Sequence, residues 1–387
     1  MHSLDGCQGS GVMKDKTCND EKKEMENPSA HCSLLTARSP DAAGGPPLRM
    51  VAWELTRNCN LNCMHCRARA SCGPFEGELT TAQCKKVIDS IASFATPTII
   101  LTGGEPLLRE DIFEIIAYGR EKGLRLVIAI NGTLLDETIA QRLRDSGIMR
   151  VSMSLDDKDA ERHDTFRGVA GSFASVIRAS KILNKVGLPF QINTTVTRLN
   201  VDNLEEIYEL VKSLGAVAWH VFLLVPVGRG EGLKGEELNA RMYEDVLQWL
   251  YSVETKGELE MKVTCAPHYY RIVKEKGDTP KSAGCLAGKS FLFISHQGIA
   301  QPCGYLEMAS GDVRKEGVQR VWEGSPVFNT LRDLRGYKGK CGPCKYLKIC
   351  GGCRARALEL KGDVLQEEPY CSYVPQAVDI AEVSSEQ

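Results

Sequence analysis

The chain has 387 residues, 43% of them hydrophobic and 25% charged, with a formal net charge of −2. That balance fits a globular protein of one large and one smaller domain. It gives no electrostatic basis for nucleic-acid binding, and no apolar run is long enough to span a membrane. The first residues, Met1-His-Ser-Leu-Asp-Gly, show no export signal, so the expected location is cytoplasmic. Sixteen cysteines are many for such a chain. Disulfide frameworks belong to much shorter secreted proteins, so metal or cluster ligation is the expectation. Three cysteines lie in the polar head (Cys7, Cys18, Cys32), five between Cys59 and Cys84, none from 85 to 264, and eight from Cys265 onward.

In chain order, residues 1–48 are polar and aperiodic and predict a disordered extension. Strand patterns follow at Val51–Leu55, Thr98–Leu101, Arg125–Ile130, Arg150–Ser154, Phe190–Val196 and Trp219–Val225. Helical patterns separate them at Thr81–Phe94, Asp111–Lys122, Glu137–Ser146, Ser172–Val186 and Leu204–Leu214. Thr80 and Asp136 stand where N-caps belong, and Gly123, Gly147, Gly187 and Gly215 stand where helices end. This alternation predicts an α/β fold with parallel strands and right-handed crossovers over 49–236. A connecting helix is expected within 237–259. After Glu260 the rhythm stops, and a smaller cysteine-rich domain is expected over 260–375, with a tail at 376–387.

Soon after the first strand stands Cys59-Asn-Leu-Asn-Cys63-Met-His-Cys66. Three thiolates can hold three corners of a cubane iron–sulfur cluster and leave the fourth iron open for chemistry. A structural zinc loop is the bland alternative, but zinc knuckles favour paired C-x2-C units and a closed fourth ligand. The C-x3-C-x2-C spacing, followed by Gly103-Gly104-Glu105 at the end of the second strand, resembles the radical S-adenosylmethionine (SAM) superfamily. The resemblance implies a partial (β/α)6 barrel with a 4Fe-4S cluster on Cys59, Cys63 and Cys66. It also implies SAM bound by Gly103, Gly104, Glu105, Asn131, Ser154, Asp156, Arg167 and the segment beginning at Val225. Arg229 could face the substrate. His65 stands where relatives have a ring near the adenine, or it packs as an ordinary core group.

The second cysteine set, Cys285, Cys303, Cys341, Cys344, Cys350, Cys353 and Cys371, resembles the SPASM extension of radical SAM enzymes. It departs from the usual C-x2-C-x5-C-x3-C run, because its last spacing is x2. The resemblance implies one auxiliary 4Fe-4S cluster on Cys341, Cys344, Cys350 and Cys371. Cys285, Cys303 and Cys353 are left for a second, with Cys265 or the substrate as its fourth ligand. Zinc is the alternative for the C-x2-C region. Cys72 and Cys84 read as small packing residues.

Trp53-Glu-Leu-Thr-Arg-Asn-Cys59, Cys66-Arg-Ala-Arg-Ala and Cys350-Gly-Gly-Cys-Arg-Ala-Arg-Ala are similar to the heme-forming branch of the superfamily. That resemblance implies oxidative decarboxylation of two propionates of Fe-coproporphyrin III to vinyl groups, giving heme b. Hydrogen is removed from the propionate β-carbon, and carbon dioxide and one electron are then lost. An electron donor such as ferredoxin or flavodoxin is implied. Arg67, Arg69, Arg354 and Arg356 are candidate cations for the propionates, and His163, His220, His268 and His296 are candidate ligands of the porphyrin iron. The competing readings are a didecarboxysiroheme deacetylase, a SPASM peptide maturase and a non-enzymatic iron–sulfur electron carrier. The last would not need Gly103-Gly104-Glu105.

Overall fold

The computed structural model describes residues 46–282 and 284–376. Ten strands form one sheet: β1 (Met50–Glu54), β2 (Thr98–Thr102), β3 (Arg125–Ala129), β4 (Val151–Ser154), β5 (Phe190–Val196), β6 (Ala218–Leu223), β7 (Glu260–Thr264), β8 (Phe291–Ile294), β9 (Ile299–Gln301) and β10 (Gly311–Asp312). Their order is β10-β9-β8-β1-β2-β3-β4-β5-β6-β7. From β8 to β7 every neighbouring pair is parallel, and β9 and β10 are antiparallel additions. Helices α1 (Thr81–Ala92), α2 (Ile112–Glu121), α3 (Glu137–Asp145), α4 (Ala160–Arg167), α5 (Ser172–Val186) and α6 (Leu204–Ser213) fill the crossovers from β1 to β6. This is the α/β arrangement the alternation predicts.

Local chemistry sets the helix ends. Thr80 and Gln83 close a capping box on α1, and the Asp136 side chain accepts from the Ile139 N–H on α3. Gly187 ends α5 at φ +70°, where a Cβ would be strained. α4 has no counterpart in the sequence reading. Its residues, Ala-Glu-Arg-His-Asp-Thr-Phe-Arg, carry no apolar stripe, and only the Asp159 cap marks its start. Asn239 caps the expected connecting helix, α7 (Ala240–Glu254), which precedes α8 (Tyr269–Glu275).

Two differences from the sequence reading matter. The sheet does not stop at residue 236: β7 pairs with β6 and β8 pairs with β1, so both edges of the six-strand run are covered. β7 does alternate (Glu-Met-Lys-Val-Thr), but it is only five residues long with just two apolar side chains, a weak signal at the point where the cysteine-rich region begins. Residues 46–48 are also not loose. The Trp322 indole N–H donates to the Pro46 carbonyl at 2.9 Å, and Leu48 is buried. The rest of the N-terminal extension, with Cys7, Cys18 and Cys32, and the tail from 377 lie outside the described residues. Among those described, no helix is long and apolar enough to cross a membrane.

Strand alternation sorts two faces. On β5, Phe190, Ile192, Thr194 and Val196 are buried, and all but Thr194 join the helix-side core. Gln191, Asn193 and Thr195 point to the opposite, helix-free face and are half-buried. That face, and the loops beyond the strand C-termini, hold the candidate site.

Candidate active site and cluster-binding cysteines

The loop after β1 carries Cys59, Cys63 and Cys66, which lie close enough to influence one another's charge. Each sulfur has a donor aimed at it. The Leu61 N–H points at Cys59 Sγ (3.4 Å), the Ala70 N–H at Cys66 Sγ (3.4 Å), and Arg167 Nη1 at Cys63 Sγ (3.7 Å). Burial pushes the Cys59 thiol up to about 11 and also raises Cys63. Thiols so placed resist ionising alone but lose their protons to a metal. None of the described cysteines forms a disulfide. Among the described residues no three His, Cys, Asp or Glu side chains converge on a single ion. A cubane does not require that, since each thiolate binds a different iron. The donor set therefore fits a cluster.

The rest of the site holds this loop. The Gly104 N–H donates to Thr56 O (2.7 Å) and the Glu105 N–H to Asn58 O (2.8 Å). A Cβ on Gly103 would lie 2.4 Å from Thr56 O, and one on Gly104 2.3 Å from Asn58 O. The closeness these glycines permit is thus to the chain's own cluster loop. Glu105 is fully buried and accepts from the N–H groups of Asn131 (2.6 Å) and Leu107 (3.0 Å). Burial pushes its carboxyl up to about 7 against those two bonds. The Asn131 side chain reaches Asn60 of the loop at 2.7 Å. Ser154 ends β4, half-buried on the open face.

Asp156 and Arg167 engage each other. Arg167 Nε donates to Asp156 Oδ2 at 2.6 Å, and both residues are buried. Asp156 Oδ1 also accepts from the Thr195 N–H. The guanidinium fork is thus already paired, and α4 binds the loop further through Asn62 N–H···O Arg167 and Met64 N–H···O Phe166. Arg229 donates to the carbonyls of Cys63 (2.8 Å) and Ala70 (2.6 Å), so it braces the loop rather than facing a substrate. His65 stacks on Phe166 with centroids 4.4 Å apart. Burial holds that imidazole neutral, with its pKa near 3. The Val225 side chain packs with Leu306, Leu331 and Cys353, so only its backbone can meet a ligand at the strand end.

The other cysteines fall into two neighbourhoods. Cys285, Cys303 and Cys353 influence one another, and Cys265, which the spacing could not place, hydrogen-bonds Cys353 and lies near Cys303. Cys265 adopts φ +62°, a left-handed conformation costly for a non-glycine residue, and this brings it into the group. Cys341, Cys350 and Cys371 form the second neighbourhood, with Cys344 joined to Cys341 by a backbone turn. Backbone N–H groups point at Cys341 Sγ (from Glu368) and Cys350 Sγ (from Gly352), each at 3.4 Å. Cys84 is buried, whereas Cys72 is exposed and does not pack as expected.

The four candidate arginines do not form a propionate clamp. Arg354 and Arg356 are fully buried. Arg354 donates to the carbonyls of Val364 and Gln366. Arg356 donates to Cys265 O (2.9 Å), Leu224 O (3.0 Å) and Glu368. Arg67 pairs with Glu54 at 2.9 Å beneath the Phe293 ring, and Arg69 pairs with Glu231 at the surface. Sequence adjacency to cysteines misled here, because helix Arg354–Lys361 turns its first residues inward. Two candidate iron ligands are also committed elsewhere: His163 accepts from the Asp156 N–H, and His296 pairs with Glu54. His268 is fully buried against Tyr243, with neither ring nitrogen hydrogen-bonded among the described residues.

These features define an enzyme built on a three-thiol cluster loop at the C-terminal end of a parallel sheet. The radical SAM superfamily model matches residues 53–212, and an iron–sulfur cluster-binding domain model matches 285–354. An AdoMet-dependent heme synthase of Nitratidesulfovibrio vulgaris is 47% identical over 345 residues, covering 86% of this chain and 94% of that protein. One from Methanosarcina barkeri is 47% identical over 340 residues, covering 84% and 97%. Streptococcus suis SuiB bound to S-adenosylmethionine shares the fold at 19% identity, TM-score 0.69, covering 85% of this chain and 78% of that one. The chain belongs to the radical SAM superfamily and, within it, to the family of the AdoMet-dependent heme synthases.

Proposed function

We propose that this protein converts two propionates of Fe-coproporphyrin III to vinyl groups by SAM-dependent oxidative decarboxylation, giving heme b. The observation that carries the reading is kinship with heme synthases over 94% of a relative's length. Cys59, Cys63 and Cys66 would hold the 4Fe-4S cluster. Bound there, cluster and SAM supply the radical that removes hydrogen from the substrate. The Gly103 and Gly104 carbonyls accept no hydrogen bond from the described residues and suit the SAM amino group. Ser154, on the open face, suits the ribose. Asp156, Arg167 and Arg229 keep the loop rigid, which fixes where the substrate can react.

Residues 49–236 house this chemistry, and 260–375 carry the auxiliary cysteines. Cys265, Cys285, Cys303 and Cys353 would hold one 4Fe-4S cluster. Cys341, Cys344, Cys350 and Cys371 would hold another. A redox group there can take the electron that the decarboxylating substrate must lose. The single-electron donor is a ferredoxin or flavodoxin, and the enzyme works in the cytoplasm. The test is anaerobic incubation of reconstituted protein with SAM, dithionite and Fe-coproporphyrin III. The expected products are 5′-deoxyadenosine, a monovinyl intermediate and heme b by mass spectrometry. 5′-Deoxyadenosine with unchanged porphyrin overturns the substrate and leaves didecarboxysiroheme to be tried.

A further inference from the structure

On the open face of the sheet, strand register places four residues in one lateral row: Ser154 on β4, Asn193 on β5, His220 on β6 and Lys262 on β7. Three strand spacings separate its ends, about 14 Å. The row starts beside the SAM site and ends in two donors without acceptors.

The orientation of His220 follows from its neighbours. Arg150 Nη1 lies 3.5 Å from Gln191 Oε1, and Gln191 Nε2 donates to Asn193 Oδ1 at 3.0 Å. The same Nε2 lies 2.9 Å from His220 Nδ1. The amide therefore donates to Nδ1, and the imidazole proton sits on Nε2. Nε2 is buried and has no partner. Burial holds this ring neutral, with a pKa near 3. A protonated Nε2 is a donor, which argues against His220 as the iron ligand considered from the sequence.

Lys262 is half-buried, and burial lowers its pKa. No carboxylate of the described residues lies within ion-pair distance of it. Its nearest acidic neighbour, Glu260, is bound to Arg150 at 3.0 Å. An enclosed ammonium without a partner costs stability, and such a cost persists where a ligand repays it.

We propose that Lys262 Nζ and His220 Nε2–H form a subsite for a substrate carboxylate, about 14 Å along the sheet from the SAM end of the row. The inference rests on the Fe-coproporphyrin III reading and deepens it. A tetrapropionate macrocycle can set one carboxylate on this pair while another propionate meets the reacting end. The site takes a carboxylate rather than a neutral group, because both of its free groups are donors and one is charged.

The test measures dissociation constants of Fe-coproporphyrin III and of SAM for wild-type, Lys262→Met and Lys262→Arg holoenzyme, with melting temperatures. Lys262→Met should weaken porphyrin binding about tenfold or more, as expected for loss of a charge-assisted hydrogen bond. Lys262→Arg should stay close to wild type, and SAM affinity should not change in either. Without porphyrin, Lys262→Met should melt at or above the wild-type temperature, since an uncompensated charge is gone. Wild-type porphyrin affinity in Lys262→Met, or a markedly lower melting temperature, overturns the subsite. Failure of the wild type itself to bind the porphyrin overturns the functional reading and the subsite with it.

Discussion

Glu54 shows how single side chains hold the cluster loop in place. It ends β1, is fully buried, and meets Arg67, Arg57 and His296 at 2.8–3.1 Å. Burial works against its charge, but Arg67, His296 and Arg57 together outweigh burial and hold the carboxyl at about 2. A pKa below its ordinary value means that ionised Glu54 stabilises the fold above its unfolded pKa. That stability is lost as pH falls from about 4.5 through about 2, and it amounts to about 3 kcal/mol at neutrality. Glu54→Gln should therefore cost about 3 kcal/mol at pH 7 in urea denaturation, and the gap to wild type should close on acidification. An equal gap at pH 7 and pH 3 would contradict this. The His296 partnership could not be read from the sequence, because that residue is 242 positions away.

At the scale of elements, Arg356 joins three pieces of chain: the end of β6 through Leu224 O, the Cys265 turn through its carbonyl, and Glu368. Glu368 in turn accepts from the Cys353 N–H at 2.7 Å, and its own N–H points at Cys341 Sγ. The Arg356–Glu368 pair thus stands between the two cysteine neighbourhoods. A buried cation beside Cys265 and Cys353 favours the more negative, reduced state of a cluster held there. Arg356→Met should lower the midpoint potential of that cluster in an EPR-monitored titration. It should also cost about 3–5 kcal/mol, because Glu368 is left as an unpaired buried charge. Arg356→Lys should keep most of the potential, and Arg356→Met/Glu368→Gln should recover stability and part of the potential, because a negative charge acting on Cys353 is removed together with the positive one. Unchanged potential in Arg356→Met would place Arg356 in a purely structural role.

At the scale of the molecule, legibility in the sequence followed the range of the signal. Strands β1 to β6 and five of their helices announced themselves by period, caps and terminal glycines, all local devices. The cluster loop was legible because its cysteines are close in sequence. The Cys285, Cys303 and Cys353 group was legible too, but its fourth member was left open between Cys265 and the substrate, since Cys265 joins it through a left-handed φ and a buried arginine. β8 escaped notice because its pairing with β1 is long-range, and β7 because its short run carries few apolar residues. Their pairing with β1 and β6 has a consequence for how the protein folds. With β7 and β8 removed, β1 and β6 each present a bare edge next to an apolar core, and Trp322 no longer secures Pro46. The described residues also fall within one compact unit. A fragment ending at residue 236 should therefore fail to fold, although its alternation looks self-contained. Circular dichroism and size-exclusion chromatography check this, the expected result being aggregated or unfolded material. In the intact protein, tryptophan fluorescence and iron–sulfur absorbance should report one coincident urea transition. Two separated transitions would mean that the barrel strands hold together without the C-terminal region.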